Sequence, residues 1–149
     1  MKKAIRNNVF ETNSSAVHSL AVHSEGLTGS NLPVDSDGYI IADFGNYGDY
    51  NMGITIYGQA EKLAYLATES YYLYGWDTDI EECNNWNMIC KAICKHAHAA
   101  GIRLQHKVEP ELNHQEVPNY TYHFIDPWDE CSIIDFVFNK YIGVRMSHD

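Results

Sequence analysis

A histidine beside a run of hydroxyl and amide side chains can take a proton or help to hold a ligand, and the sequence offers this pairing twice. In RNNVFETNSSAVHSL (6–20), Arg6, Asn13, Ser14 and Ser15 precede His18, and in NHQE (113–116), Asn113 and Gln115 flank His114. Arg6 suits a phosphate, the amides and hydroxyls suit hydrogen bonding, and His18 or His114 suits a general base. A serine with a histidine three or four residues on becomes nucleophile and base only if the fold joins them, because alternate side chains on a strand diverge. The pairing of Ser14 or Ser15 with His18, or with the distant His114, therefore stays open. The bland reading of 12–15 is a run of turn and cap formers satisfying loop backbone. Against it stand the scarcity of basic residues besides Arg6, the anchors Val9 and Phe10, and the strand that follows directly.

A second pattern is Cys83, Cys90, Cys94 and His98, spaced to stack on one side of a helix. Trp86, Ile89, Ile93 and Ala97 share that stripe, and no Cys-x-x-Cys pair is present to begin a tetrahedral site. Core packing is the expectation, with no metal and no cofactor. His106 falls on the apolar side of its own segment and reads as a hydrogen-bonded core histidine, whereas His96, His98 and His148 read as solvated.

The elements that must position these groups follow from periodicity. VHSLAVH (17–23) alternates as a strand, with Val17, Ser19, Ala21 and His23 on one face and His18, Leu20 and Val22 on the other. YIIADF (39–44) reads as a second strand, 45–53 as a loop and ITIY (54–57) as a short extended piece. A helix is expected from Gln59 to about Tyr74 and ends at Gly75. A second helix, capped by Asp77 or Thr78, runs about twenty residues to Gly101, with acids early and Lys91, Lys95, His96 and His98 late. IRLQHKV (102–108) and YTYHFI (120–125) read as strands. A helix over 126–139 is capped by Asp126 with Pro127 in its first position, and YIGVRM (141–146) is the last strand. The result is one α+β domain over 1–149, with a largely antiparallel mixed sheet of about four to six strands and about three helices.

Composition narrows the function. The chain has 149 residues, 45% hydrophobic and 13% aromatic, eleven of them tyrosine, which suits a folded domain. Its four cysteines do not make a secreted disulfide framework, and no stretch approaches the roughly 18 apolar residues of a membrane span or forms a signal peptide. A cytoplasmic protein is expected. Lys2, Lys3 and Arg6 precede all the acids, so from residue 9 onward seven basic residues face 20 acidic ones, a balance of −13. That field repels phosphate polymers and excludes a general nucleic-acid surface, while leaving room for a local basic pocket at Arg6. It also admits an acidic mimic of nucleic acid, although the acids are scattered along the chain.

The segment RNNVFETNSSAVHSL resembles the N-terminus of a group of small phage- and prophage-encoded proteins that begin Arg-x-Asn-Val-Phe-Glu-Thr-Asn-Ser-Ser, followed by Ser and a nearby His-Ser. DGYIIADFGNYG, EKLAYLAT, NHQEV and IIDFVFNKY resemble later landmarks of the group, so the likeness spans most of the chain. This chain has Ala16 where relatives commonly carry a third serine, and Asn113-His114-Gln115-Glu116 where Asp-His-Gln-Ser is expected. The resemblance implies a phage protein acting in a bacterial host cell, and with it a counter-defence role, rather than a particular reaction. The expected function is capture of a small polar, nucleotide-type ligand by Arg6, Asn13, Ser14, Ser15 and Gln115. The alternatives are a hydrolase or transferase on such a ligand with His18 or His114 as base, and an acidic inhibitor or mimic docking on a host enzyme. A homo-oligomer is compatible with all three.

The charge balance yields a first prediction: duplex DNA or RNA does not bind measurably at physiological salt, whatever its sequence. A salt-dependent, sub-micromolar gel shift would contradict it.

Overall fold

The computed structural model describes residues 16–26, 29, 31–48, 53–74, 79–112 and 122–148. The chain runs β1 (Ala16–Val22), β2 (Tyr39–Ala42), β3 (Asn46–Tyr47), β4 (Thr55–Ile56), α1 (Gln59–Tyr74), α2 (Asn84–Ala97), β5 (Gly101–Leu104), β6 (Glu111–Leu112), α3 (Glu130–Phe138) and β7 (Ile142–His148), with a 3₁₀ turn at Ile80–Glu82 before α2. This is a small α+β fold with three helices among the described residues, as the periodicity predicts. Its strands, however, divide among three small sheets: antiparallel β1-β7-β4, and the parallel pairs β2-β5 and β3-β6.

α1 lies at the centre. Gly58 immediately precedes it, with Glu61 Oε1 accepting from the Gly58 N–H at 3.0 Å as the glutamate of a capping box does. Apolar Leu63, Leu66 and Ala67 are buried, and so are Lys62, Thr68, Glu69 and Ser70. A helix covered on most of its circumference must satisfy its polar side chains from within. Thr68 Oγ1 donates to Ala64 O at 2.7 Å and accepts from the Gly45 N–H at 2.8 Å. Ser70 Oγ donates to Leu66 O at 2.9 Å and lies 2.6 Å from the Tyr122 hydroxyl. Lys62 Nζ donates to the carbonyls of Asn139 and Ile142, both at 2.9 Å, and so fastens α1 to the turn between α3 and β7. Burial pushes the Lys62 ammonium down to about 8, while Asp135 pulls it the other way.

Four local differences from the sequence reading have identifiable causes. The long second helix is broken at Cys83, which is extended (φ −86°, ψ 134°), because Asp79 spends its carboxylate capping a separate 3₁₀ turn through the Glu81 N–H. β5 stops at Leu104: the Asp43 carboxylate accepts from the N–H groups of Lys107 and Val108, and His106 takes a positive φ of 57°. α3 starts later than expected. Asp126 forms a turn through the Trp128 N–H at 2.9 Å, and Asp129 caps the helix through the Cys131 N–H at 3.0 Å. The described part of the expected strand at 120–125 is irregular, because the His123 N–H is taken by a side chain of α1. On α2, Trp86, Ile89, Ala92 and Ile93 are buried, and Cys83, Cys90 and Cys94 are partly buried against them, consistent with packing. Burial pushes the Cys90 thiol well up, which keeps it protonated and unreactive.

Gly143 of β7 marks the tightest backbone approach in the main sheet. A Cβ there would sit 2.5 Å from the Ile56 carbonyl oxygen and 2.6 Å from the Tyr57 ring. The Ile56 carbonyl is backbone of β4 and cannot yield without separating β4 from β7. Gly143→Ala is therefore expected to cost about 1–3 kcal/mol in urea unfolding, and an unchanged midpoint would contradict the packing described.

Candidate functional site

α1 also presents a row whose hydrogen bonds leave the helix. Tyr65 and Glu69, one turn apart, point toward β1 on one side and the segment 122–125 on the other. His18 of β1 is 6% exposed, and its Nδ1 lies 2.7 Å from the Tyr65 hydroxyl. The same hydroxyl lies 3.2 Å from His123 Nδ1. The His18 and His123 rings are 5.7 Å apart, centroid to centroid. Glu69, 2% exposed, accepts from the His123 backbone N–H through Oε2 at 3.0 Å, and the same oxygen is 3.7 Å from His123 Nδ1. Phe124 stacks on His123 at 4.9 Å, and Tyr47 meets Tyr65 edge-on at 5.3 Å, closing the cluster in aromatic surface.

Burial sets the charge state. It lowers His18 from 6.5 to about 3, assisted by the neighbouring His123, and lowers His123 from 6.5 to about 4. It raises Glu69 from 4.5 to about 8, against the stabilising pull of the His123 N–H. At neutral pH the quartet consists of two neutral imidazoles, a phenol and a protonated carboxyl, so the 3.7 Å contact of His123 with Glu69 joins uncharged groups. Proton counting then assigns donors. The phenol has one hydrogen, and the shorter contact assigns it to His18 Nδ1, leaving His123 Nδ1–H to donate to the phenol oxygen. Since Glu69 Oε2 is the accepting oxygen, the protonated carboxyl is best served with its hydrogen on Oε1, a buried atom with no hydrogen-bond partner among the described residues.

Of the residues expected to form a site, His18 is present in this cluster. Arg6, Asn13, Ser14, Ser15, His114 and Gln115 lie outside the described residues. Tyr65, Glu69 and His123 are additions to the sequence reading. The available signal was the spacing of Lys62, Tyr65 and Glu69, which puts polar groups on the same side of the helix as Leu66. His106 corrects an expectation: it is exposed rather than a core residue, pairing with Glu81 at 3.0 Å through Nε2 and meeting Phe44 edge-on at 5.3 Å. Its departure from β5 turns it away from the core. Together with Asp79 it completes an exposed trio whose groups satisfy one another, Asp79 accepting from the Glu81 N–H at 3.0 Å.

No protein-family model matches the chain, and no curated protein or solved structure matches it. No helix among the described residues is long and apolar enough to cross a membrane.

The quartet predicts a shaped pH dependence. Between about pH 4 and 6.5 the unfolded chain protonates histidines that the folded chain keeps neutral, so stability rises with pH through that window. Between 4.5 and about 8 the unfolded chain has lost the Glu69 proton that the folded chain retains, so this contribution falls as pH rises. Glu69→Gln keeps a neutral amide in place of the carboxyl and removes only the second effect. Denaturant unfolding from pH 5 to 8 is expected to show the wild type losing stability relative to Glu69→Gln as pH rises. A pH-independent difference would contradict the protonated carboxyl.

Proposed function

We propose that the protein captures a small polar ligand of nucleotide type, within the setting of a phage-encoded protein that counters a host defence. The observation carrying this reading is the buried Glu69 Oε1, which has no hydrogen-bond partner among the described residues and, in a protonated carboxyl, is a donor set in a cluster of neutral donors and acceptors. A buried donor left unmatched costs about 1–3 kcal/mol, and an acceptor atom supplied by a ligand recovers that cost. Neutral groups against aromatic faces suit a nucleobase edge, where a carbonyl oxygen or ring nitrogen offers the acceptor. Arg6 suits the phosphate end. The chain connects this cluster to both polar segments: residues 13–15 precede His18 closely, and residues 114 and 115 lead toward His123.

Catalysis by a histidine base is the second reading, and the same cluster weighs against it for His18. A general base works best with a pKa near the operating pH, whereas His18 sits at about 3 with Nδ1 engaged by Tyr65. Such an imidazole recognises rather than abstracts. His114 remains the base of the catalytic alternative, and docking through scattered acids on a host enzyme is the third.

The deciding experiment is mass spectrometry of small molecules released when protein expressed in bacteria is denatured. An unmodified nucleotide-type compound in stoichiometric yield is expected. It should be lost in Asn13→Ala, Ser14→Ala, His114→Ala and Tyr65→Phe, and Arg6→Ala should weaken it most if the ligand carries phosphate. The variants at 13, 14 and 114 should shift stability little. Recovery of a chemically altered product would favour the enzyme. An empty protein whose biological effect survives these changes, but not changes to surface carboxylates, would favour docking.

A further inference from the structure

β1 is the outermost strand of its sheet among the described residues, and hydrogen-bond direction shows which of its backbone groups look outward. The His23 N–H donates to Tyr141 O at 2.8 Å, so the odd-numbered residues of β1 face β7. On β7 the even-numbered residues face the other way, as the Met146 N–H donating to Ile54 O at 2.9 Å confirms. The N–H and C=O groups of Leu20 and Val22 therefore point away from the sheet. Their side chains are also uncovered, Leu20 at 47% and Val22 at 78% exposure, although Val144, the neighbour of Leu20 on β7, is fully buried. The core-facing side of the sheet thus continues onto β1 beyond the helices that cover it.

Natural edge strands of this kind are usually protected by a lysine, a proline or a bulge. β1 has none of these: AVHSLAV carries no charged side chain in a protein whose net charge is −10. An uncharged edge on an acidic body is where two like-charged copies approach with least repulsion.

We propose that β1 pairs antiparallel with β1 of a second copy across a two-fold axis at Ala21. In that register Leu20 and Val22 of each copy exchange backbone hydrogen bonds with Val22 and Leu20 of the other, giving four bonds and two apolar cross-strand pairs. Exposed Glu25 falls opposite residue 17, so no acid meets an acid. A strand edge alone buries less than a standard permanent interface, and the association is reversible. This inference is independent of the ligand reading.

Sedimentation velocity of the full chain over a wide concentration range is expected to show a monomer–dimer equilibrium. Val22→Lys, at a position open to solvent, should leave the circular dichroism spectrum intact and weaken association by about tenfold or more. Ala21→Cys tests the register in a Cys131→Ser background, which removes the exposed native thiol. The two Ala21 positions would form a non-hydrogen-bonded pair with Cα atoms about 4.5 Å apart, within disulfide range, whereas Ser19→Cys places its thiols too far apart. Rapid cross-linking of Ala21→Cys but not of Ser19→Cys is expected. A wild type that stays monomeric throughout, or equal cross-linking of both cysteine variants, would overturn the proposal.

Discussion

The Tyr65 hydroxyl, held between two imidazoles, is the contact on which the arrangement of β1, α1 and the segment 122–125 depends. A phenol buried at the centre of a fold must find partners there, because an unmatched hydroxyl in low dielectric costs about 1–3 kcal/mol. Tyr65 meets that demand with His18 from one end of the chain and His123 from the other. Glu69 reinforces it one turn along by taking the His123 N–H, and Lys62 does the same in the opposite direction by binding the carbonyls that close α3 and open β7. Polar side chains at 62, 65 and 69 thus act as fasteners between elements distant in sequence. Apolar packing alone tolerates small slips of one element over another, whereas these bonds fix their relative placement.

Much of this architecture was legible in the sequence where local rules dominate. α1 begins at Gln59 and reaches Tyr74 as its periodicity predicts, and β1, β2 and β7 lie within a residue or two of their alternating stretches. Legibility failed where a side chain captured a backbone group from far away. Asp43 ended β5 early by taking the N–H groups of Lys107 and Val108, and Glu69 kept 122–125 from forming a strand by taking that of His123. A periodicity reading scores each segment against itself and has no access to such captures. The division of the strands into three sheets has the same origin, since pairing partners are nonlocal.

The candidate site follows a similar division. His18 was visible because it stands beside polar residues in sequence. His123 was not, because its neighbours Tyr122 and Phe124 make it look like part of an alternating strand. The Tyr65 ring belongs with the apolar residues of its helix, while its hydroxyl supplies the bridge. Glu69 has no sequence neighbour that marks it out from an ordinary helix acid. Three polar residues spaced over two turns of an otherwise apolar face are the sign of it, since a helix covered on most of its circumference has little solvent side on which to place them.

The charge state of the quartet bears on its use more than its geometry does. The acidic body of the protein creates a negative potential, which on its own would raise both histidines and make them cationic near neutrality. Burial acts the other way on the imidazoles and prevails, lowering both, while for Glu69 burial and potential act together. The cluster is therefore uncharged because it is dry, despite the field around it. An uncharged cluster discriminates by shape and hydrogen-bond polarity rather than charge, so under the proposed reading its contribution would be insensitive to salt. A phosphate, by contrast, must be met elsewhere on this acidic chain by a basic side chain. The proposed nucleotide capture would therefore need two chemically separate parts, neutral groups for the base and a cation for the phosphate. The sequence supplies the second kind of group sparingly, with Arg6 the one arginine ahead of β1.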